Sequence, residues 1–467
     1  MKNSPRTVGR TLRSHAREIF RAALEACSPG VMLCRAFRRE GMIVKGPDIQ
    51  LDLRRTGRVF VMAYGKAARD MARAFLRLLA SPKAIGYAVL PAWERGTVPG
   101  LTSLRAAHPV PDRFSFRAGR VLLSKVAEAR EGDQVVHLIS GGGSAMVAAP
   151  LRGLLGDSHK SLLHALLIGC GLGIQEMNVV RKHFSNIKGG RLLLTSPKAS
   201  HSSLVLSDAP SGHADAVAGG PTFPDPSSWG ECVSTLESAG ILSELPARLR
   251  ARLAQGDLPE TPKPGDARFR KHRWTVVASL EDLLAAAARR ASELGYQVRV
   301  VPSSIEETPE VALDRLLRLR GAAGTRQDPL CIIGGGEVRV RVRGGRGRFG
   351  GRAQDFAAAA AESLEGEPAC LFLAAGSDGI DGNSPAAGAM TDGRTVSRGR
   401  RVGIDIGALR RDGNTHALFR TLGDSLITGP TGNNLRDLYF LLEWPRRGPS
   451  LRAAIGDRRG SSEKERR

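Results

Sequence analysis

The stretch RVFVMAYGKAARDMARAFLRLLA, residues 58–80, decides the fold. Residues 59–64 form an unbroken apolar run with the length of a buried strand. Gly65-Lys66 breaks the run, and the residues beyond it carry apolar side chains at the 3–4 spacing of a helix. The same grammar recurs in QVVHLISGGGSAM (134–146), SSLVLSDAPSGHADAVAGG (202–220), RWTVVASLEDLLAAAARRASELG (273–295) and ACLFLAAGSDGIDGNS (369–384). Strands alternating with helices predict an α/β chain with a mostly parallel sheet covered by helices. Ligands of such sheets bind where strand carboxyl ends meet helix starts. The Gly, Lys, Ser and Asp residues of these turns are therefore expected along one rim.

The chain has 467 residues, enough for two or three domains that bury their own cores. Three prolines within GDLPETPKPGDARFRKHR (256–273), which has no apolar period, predict a linker there. WPRRGPSLRAAIGDRRGSSEKERR (444–467) reads as a flexible tail. The formal charge is +23, but the basic residues are mostly Arg and are scattered over almost every segment. Aromatics are 5% and do not interleave with Arg, which argues against a platform for single-stranded nucleic acid. Duplex binding, suggested by charge alone, would require steep salt dependence. Cys27, Cys34, Cys170, Cys232, Cys331 and Cys370 form no CxxC pair and read as reduced core residues of a cytoplasmic protein. The run SLLHALLIGCGLGI (161–174) is too short to span a bilayer. The first 20 residues are Arg-rich, yet Ile19, Ala22, Ala23 and Ala26 give them the stripe of an amphipathic helix.

Several turns carry residues suited to anion chemistry. Lys66, at a strand-to-helix turn, would stand beside free N–H groups and the positive end of a helix, a phosphate site, with a merely solvated lysine as the alternative. No GxxxxGK[ST] occurs, so an ordinary P-loop is excluded. Gly141, Gly142 and Gly143 let main chain approach a ligand closely, and Ser144 follows at a helix start. KHFSNIKGGRL (182–192) groups Lys182, His183, Lys188 and Arg191, which suits an anionic small molecule. Asp208, ending a strand, is a candidate base, magnesium ligand or helix cap.

In the second half, Val338, Val340 and Val342 alternate with Arg339, Arg341 and Arg343, which predicts a strand with one basic face. Gly345, Gly347 and Gly350 form a GxGxxG, but no acid follows at the distance a dinucleotide site requires. As an anion cradle the loop is more fitting, with Arg352 in the first turn of a helix offering a bidentate grip. Asp378 and Asp381, three apart in a Gly-rich loop, are candidate Mg²⁺ ligands. LITGPTGNNLRDL (426–438) strings Thr428, Gly429, Thr431 and Asn433 into a loop of small donors.

Taken together, YGKAARDMA (64–72), AAHPVPD (106–112), SGGGSAM, HFSNIKGGRL, LSDAP with AGGPTFPDP, IGGGEVRVRV, GRFGGRAQDFA, AAGSDGIDGNSPAAGA and GDSLITGPTGNNLRDL resemble one family over nearly the whole chain. It is that of the glycerate 2-kinases with a C-terminal MOFRL domain, some of them labelled hydroxypyruvate reductases. The resemblance implies a Rossmann-like domain over 1–255 and, beyond the linker, a smaller α/β domain over 274–445, with the active site in the cleft between them. It also implies ATP- and Mg²⁺-dependent phosphorylation of the 2-hydroxyl of D-glycerate, with Lys66 and Arg352 as functional residues. Neither a nucleic acid nor a membrane is an expected partner, only a small anionic substrate. Hydroxypyruvate reduction, or a kinase for a related hydroxy acid, is the alternative. This chain has Ala353 where the family pattern carries Asn, which predicts one side-chain donor fewer beside Arg352.

Overall fold

The structure is a computed structural model describing residues 5–209, 212–256, 258–322, 327–340, 347–367 and 369–445. The expected tail from 446 onward, like Arg341, Val342, Arg343 and Gly345, lies outside the described residues. The chain folds into two compact units, one spanning Ser28–Ser279 and the other Met1–Cys27 together with Leu280–Arg467.

The Ser28–Ser279 unit opens with a three-stranded antiparallel meander, β1 (Arg38–Glu40), β2 (Ile43–Lys45) and β3 (Gln50–Asp52). Its main sheet holds β4 (Val59–Tyr64), β5 (Ala84–Pro91), β6 (Thr102–Ala106), β7 (Gln134–Ser140), β8 (Ser200–Leu206) and β9 (His272–Ala278). The order is β6-β5-β4-β7-β8-β9 and every pairing is parallel. All residues of β4 and β7 are buried, as expected of strands covered on both faces.

This sheet corrects the expected boundary. RWTVVA, expected to begin the second domain, supplies the edge strand β9 beside β8. The Pro-rich segment before it is not a free linker but packs on its own unit. Pro259 O accepts from Arg191, Glu260 meets His183, and Pro262 O accepts from Asp225 N.

The other unit contains β10 (Gln297–Val300), β11 (Leu330–Gly336), β12 (Cys370–Gly376), β13 (Gly388–Asp392), β14 (Ser425–Leu426) and β15 (Asp437–Glu443). They are ordered β10-β11-β15-β12-β13-β14, and only β10 and β11 pair in parallel. The strand-and-helix grammar of 369–384 thus continues into a mixed sheet, because the last strand inserts antiparallel between β11 and β12. The expected strand through Val338 and Val340 ends instead at Gly336, where φ is +147°. A Cβ there would collide with the main chain of Ile305, and beyond it Val338 N turns to donate to Tyr439 Oη at 3.2 Å.

The N-terminal helix Pro5–Ala26 belongs to this second unit. Of the expected stripe Ile19 and Ala23 are buried while Ala22 and Ala26 are half-buried, and Leu12, Ala16 and Phe20 complete the buried face. Arg13 reaches Asp392 and Asp424, each at 2.7 Å, and His15 Nδ1 stands 2.9 Å from Tyr296 Oη. Among the described residues no helix is long and apolar enough to cross a membrane.

Candidate functional site

Two strand-end rims carry the chemistry-bearing residues, one in each unit. In the Ser28–Ser279 unit the parallel register sets Tyr64 beside Ile139 and Ser140 beside Leu206. Lys66, the SGGGS turn and Asp208 therefore follow the same ends of adjacent strands. The turns are locked together, since Lys66 N donates to Gly141 O at 2.9 Å and Ala67 N to Ser140 Oγ at 3.1 Å. Gly65 has φ +117°, and a Cβ on it would collide with Ser140 Oγ and O. Close approach is thus what the Gly-Lys break provides.

Gly142 has φ +80°, and a Cβ there would meet Lys66 Cγ and His108 Cδ2, each at 3.1 Å. His108, not singled out from sequence, thus joins Lys66 over the glycine turn. Gly143 packs against Ala218 and Tyr64. Ser144 Oγ is buried with no hydrogen-bond partner. Asp208 lies two residues past β8 and is half-buried.

Residues 182–192 divide by role. Lys188 is fully buried, with Nζ donating to Ser144 O at 2.8 Å, and burial, reinforced by Arg181, pushes its ammonium down to about 7. Lys182 meets Asp225 at 3.3 Å. Arg191 corrects its expected ligand role: its guanidinium donates to the carbonyls of Lys182, Ser185 and Pro259, so it clamps main chain.

In the second unit, β15 begins where β11 and β12 end, so Asp437 pairs in register with both Gly336 and Gly376. The helix Arg352–Ser363 starts at the same rim. A Cβ on Gly351 would collide with Asp381, which explains the glycine before Arg352. Arg352 keeps 40% of its side chain exposed while meeting Glu337 at 2.6 Å and Asp437 at 3.7 Å. Neither acid was apparent from sequence, because only the inserted strand brings Asp437 to this rim. Burial raises the Asp437 carboxyl well above the carboxylate range; Arg352 pulls it back, and Glu337, Asp381 and Asp378 add to the rise.

Asp381 is a helix cap rather than an open ligand. Its carboxylate accepts from Ala353 N at 3.0 Å, Gln354 N at 2.8 Å and Gln354 Nε2 at 3.0 Å, and burial still pushes it up to about 6. Asp378 and Asp437 do converge. A Cβ on Gly376 would lie 3.2 Å from Asp378 Oδ1 and 3.3 Å from Asp437 Oδ1, so the glycine leaves a cradle that two carboxylates face. Ala353 is fully buried in the core, so that position faces away from the rim.

The 426–438 loop is largely structural. Thr431 Oγ1 donates to Ser377 O at 2.5 Å and accepts from Asn433 N at 3.1 Å. Asn433 Nδ2 donates to Cys27 O at 3.0 Å and its oxygen accepts from Asn434 N, so both ends are engaged within the fold. Gly429 O lies against Gly379, which must lack a Cβ, and the exposed Thr428 hydroxyl donates to Gly429 O at 2.8 Å.

Comparison with known proteins finds two matched regions. Residues 15–254 match a domain of unknown function, DUF4147, and residues 330–437 match the MOFRL family. The chain is 31% identical over 435 residues to a glycerate 2-kinase of Pyrococcus horikoshii, covering 91% of this chain and 96% of that protein. It is also 31% identical over 430 residues to a putative hydroxypyruvate reductase of Agrobacterium vitis, covering 91% and 93%. Among solved structures, a glycerate kinase of Thermotoga maritima superposes with a TM-score of 0.75 at 30% identity, covering 93% of this chain and 100% of that one.

Proposed function

The chain belongs to the family of glycerate kinases that join these two matched regions, and we propose that it transfers the terminal phosphoryl group of ATP to the 2-hydroxyl of D-glycerate, giving 2-phosphoglycerate. The observation that carries this reading is the Gly376 cradle beside Arg352, a seat for a cation next to a grip for an anion. Phosphoryl transfer asks a protein chiefly to position the reactants and neutralise charge on the moving group. Asp378 and Asp437 are the residues that would hold Mg²⁺, which commonly takes one or two carboxylates and completes its shell with water and phosphate oxygens. Bound there, the metal supplies charge neutralisation on those oxygens.

Arg352, oriented by Glu337, presents a guanidinium fork suited to phosphoryl oxygens. In the other unit, Lys66 offers an ammonium at the strand-end turn, beside Gly142, whose missing Cβ makes room for the Lys66 and His108 side chains. Asp208 is the proposed acceptor of the 2-hydroxyl proton. The reading places the protein in the cytoplasm, acting on a small anionic hydroxy acid.

Purified protein given ATP, Mg²⁺ and D-glycerate should form ADP and 2-phosphoglycerate. Lys66→Ala and Arg352→Ala should each lower kcat/KM by about 10²–10³, the usual loss of a preorganised charged donor, with the Lys66→Ala thermal midpoint nearly unchanged. Full turnover in either variant removes that residue from the reaction.

A further inference from the structure

Among the described residues, the other buried lysine and arginine side chains sit against carboxylates, Arg436 against Glu306 and Lys182 against Asp225, as does the half-buried Arg13 against Asp392 and Asp424. One group breaks that pattern. Lys160 (1% exposed) and His164 (3%) lie one turn apart on the helix Asp157–Gly169. Arg181 (7%) comes from the helix Ile174–His183, and Lys188 (0%) from the loop after it. Lys160 Nζ stands 3.4 Å from Arg181 O, and Lys188 Nζ donates to the main chain of the glycine turn at Ser144.

No described carboxylate pairs with any of the four, and each is depressed by burial and, except Arg181, by the positive charge of its neighbours. The Arg181 guanidinium makes no hydrogen bond or ion pair with any described residue, and its Nε is buried without a partner. Ser144 Oγ, adjoining the Lys188 contact, is buried and unpartnered as well. The carboxylates on the same two helices are engaged otherwise, Asp157 with Arg120 at 3.0 Å and Glu176 with Gly173 N at 2.8 Å, and so are Asp225, with Lys182 and the Ser227 hydroxyl, and Glu260, with His183 at 3.0 Å and Lys263 at 3.1 Å.

Taking an unpaired guanidinium out of water is costly unless a counter-charge meets it. We infer that Lys160, His164, Arg181 and Lys188, with Ser144 Oγ, form a binding site for the oxyanion group of a small ligand, a carboxylate or a phosphate. The group supplies the counter-charge that the chain withholds. The site adjoins the SGGGS turn through Lys188, and it rests on the kinase reading only for which oxyanion arrives, the acid's carboxylate or a phosphoryl group.

The test is calorimetric titration of the full chain with D-glycerate and, separately, with inorganic phosphate, in a buffer free of other polyanions. Wild type is expected to bind at least one of them. A response to D-glycerate alone assigns a carboxylate, and a response to phosphate alone assigns a phosphoryl group. Arg181→Met and Lys188→Met are each expected to weaken that binding about tenfold or more, the usual worth of a hydrogen bond to a charged group. The ligand-free variants are expected to melt no lower than wild type, because an uncompensated charge has been removed. Failure of wild type to bind either anion overturns the inference. So does undiminished binding in Lys188→Met or Arg181→Met, or a variant melting below wild type, which marks a structural residue. Absence of kinase turnover in a protein that binds the anion in this way refutes the kinase reading and leaves the site standing.

Discussion

Lys188 makes the stability of this protein depend on pH in a way that can be measured. Its ammonium falls from 10.5 to about 7 because it is buried and faces Arg181. At about 1.4 kcal/mol per pH unit that drop is worth roughly 5 kcal/mol. A lysine whose folded value is depressed binds fewer protons folded than unfolded between those two values, so stability climbs as pH rises through that window. From pH 7 to pH 9 the unfolded lysine stays charged while the folded one goes from half charged to neutral, a gain of about 2 kcal/mol from this group alone. Lys188→Met removes this contribution and leaves Lys160 and Arg181 in place. The measurement is the stability of ligand-free wild type and Lys188→Met by chemical denaturation at pH 7, 8 and 9. Wild type is expected to gain about 2 kcal/mol more than the variant across that range. An equal change in both proteins would show that Lys188 keeps an ordinary ammonium, and the account of its burial would fail.

Gly65→Ala should cost at least about 3 kcal/mol, from the strain at φ +117° together with the collision with Ser140; a thermal midpoint within two degrees of wild type, on the order of measurement error, would contradict the close approach described above. Asp381→Ala strips the acceptor from three N–H groups at the start of the Arg352 helix. It should destabilise by about 2 kcal/mol or more and raise KM by misplacing Arg352; unchanged stability and kinetics would refute the capping role. Arg13→Ala takes the ion-pair partner from Asp392, whereas Asp424 keeps Arg398 at 2.8 Å, and should cost about 1–3 kcal/mol, read as faster proteolytic release of the N-terminal helix. Cleavage at the wild-type rate would argue against the pairing.

Local pattern carried the reading a long way. The alternation of apolar runs and 3–4 stripes is a short-range property, and it sufficed for the parallel sheet of the Ser28–Ser279 unit, for the Gly65-Lys66 turn and for the helix opening at Arg352. Glycine placement was legible too, because Gly65, Gly142 and Gly351 stand where the main chain admits no Cβ or takes a positive φ. The resemblance to glycerate kinases rested on these turns together with the other motifs strung along nearly the whole chain.

What sequence could not supply was which distant segments would meet. A side chain's role is set by its partners, and those come from strand order and helix packing rather than from the residues beside it. Arg191 and Asn433 looked like ligand donors until main-chain carbonyls hundreds of residues or only a few positions away claimed them. Asp381 looked like a metal ligand until the Arg352 helix placed its free N–H groups against it. Conversely, Asp437 became a rim residue only because the last strand enters the second sheet antiparallel between β11 and β12. By itself, then, the sequence determined the strand-and-helix units of the parallel sheet, the glycine turns and the family, since those depend on short-range periodicity and steric fit. Only the tertiary structure decided that Pro5–Ala26 joins the C-terminal unit, that Asp378 and Asp437 share one cradle, and that Lys160, His164, Arg181 and Lys188 lie buried with no described carboxylate against them, since each depends on long-range pairing.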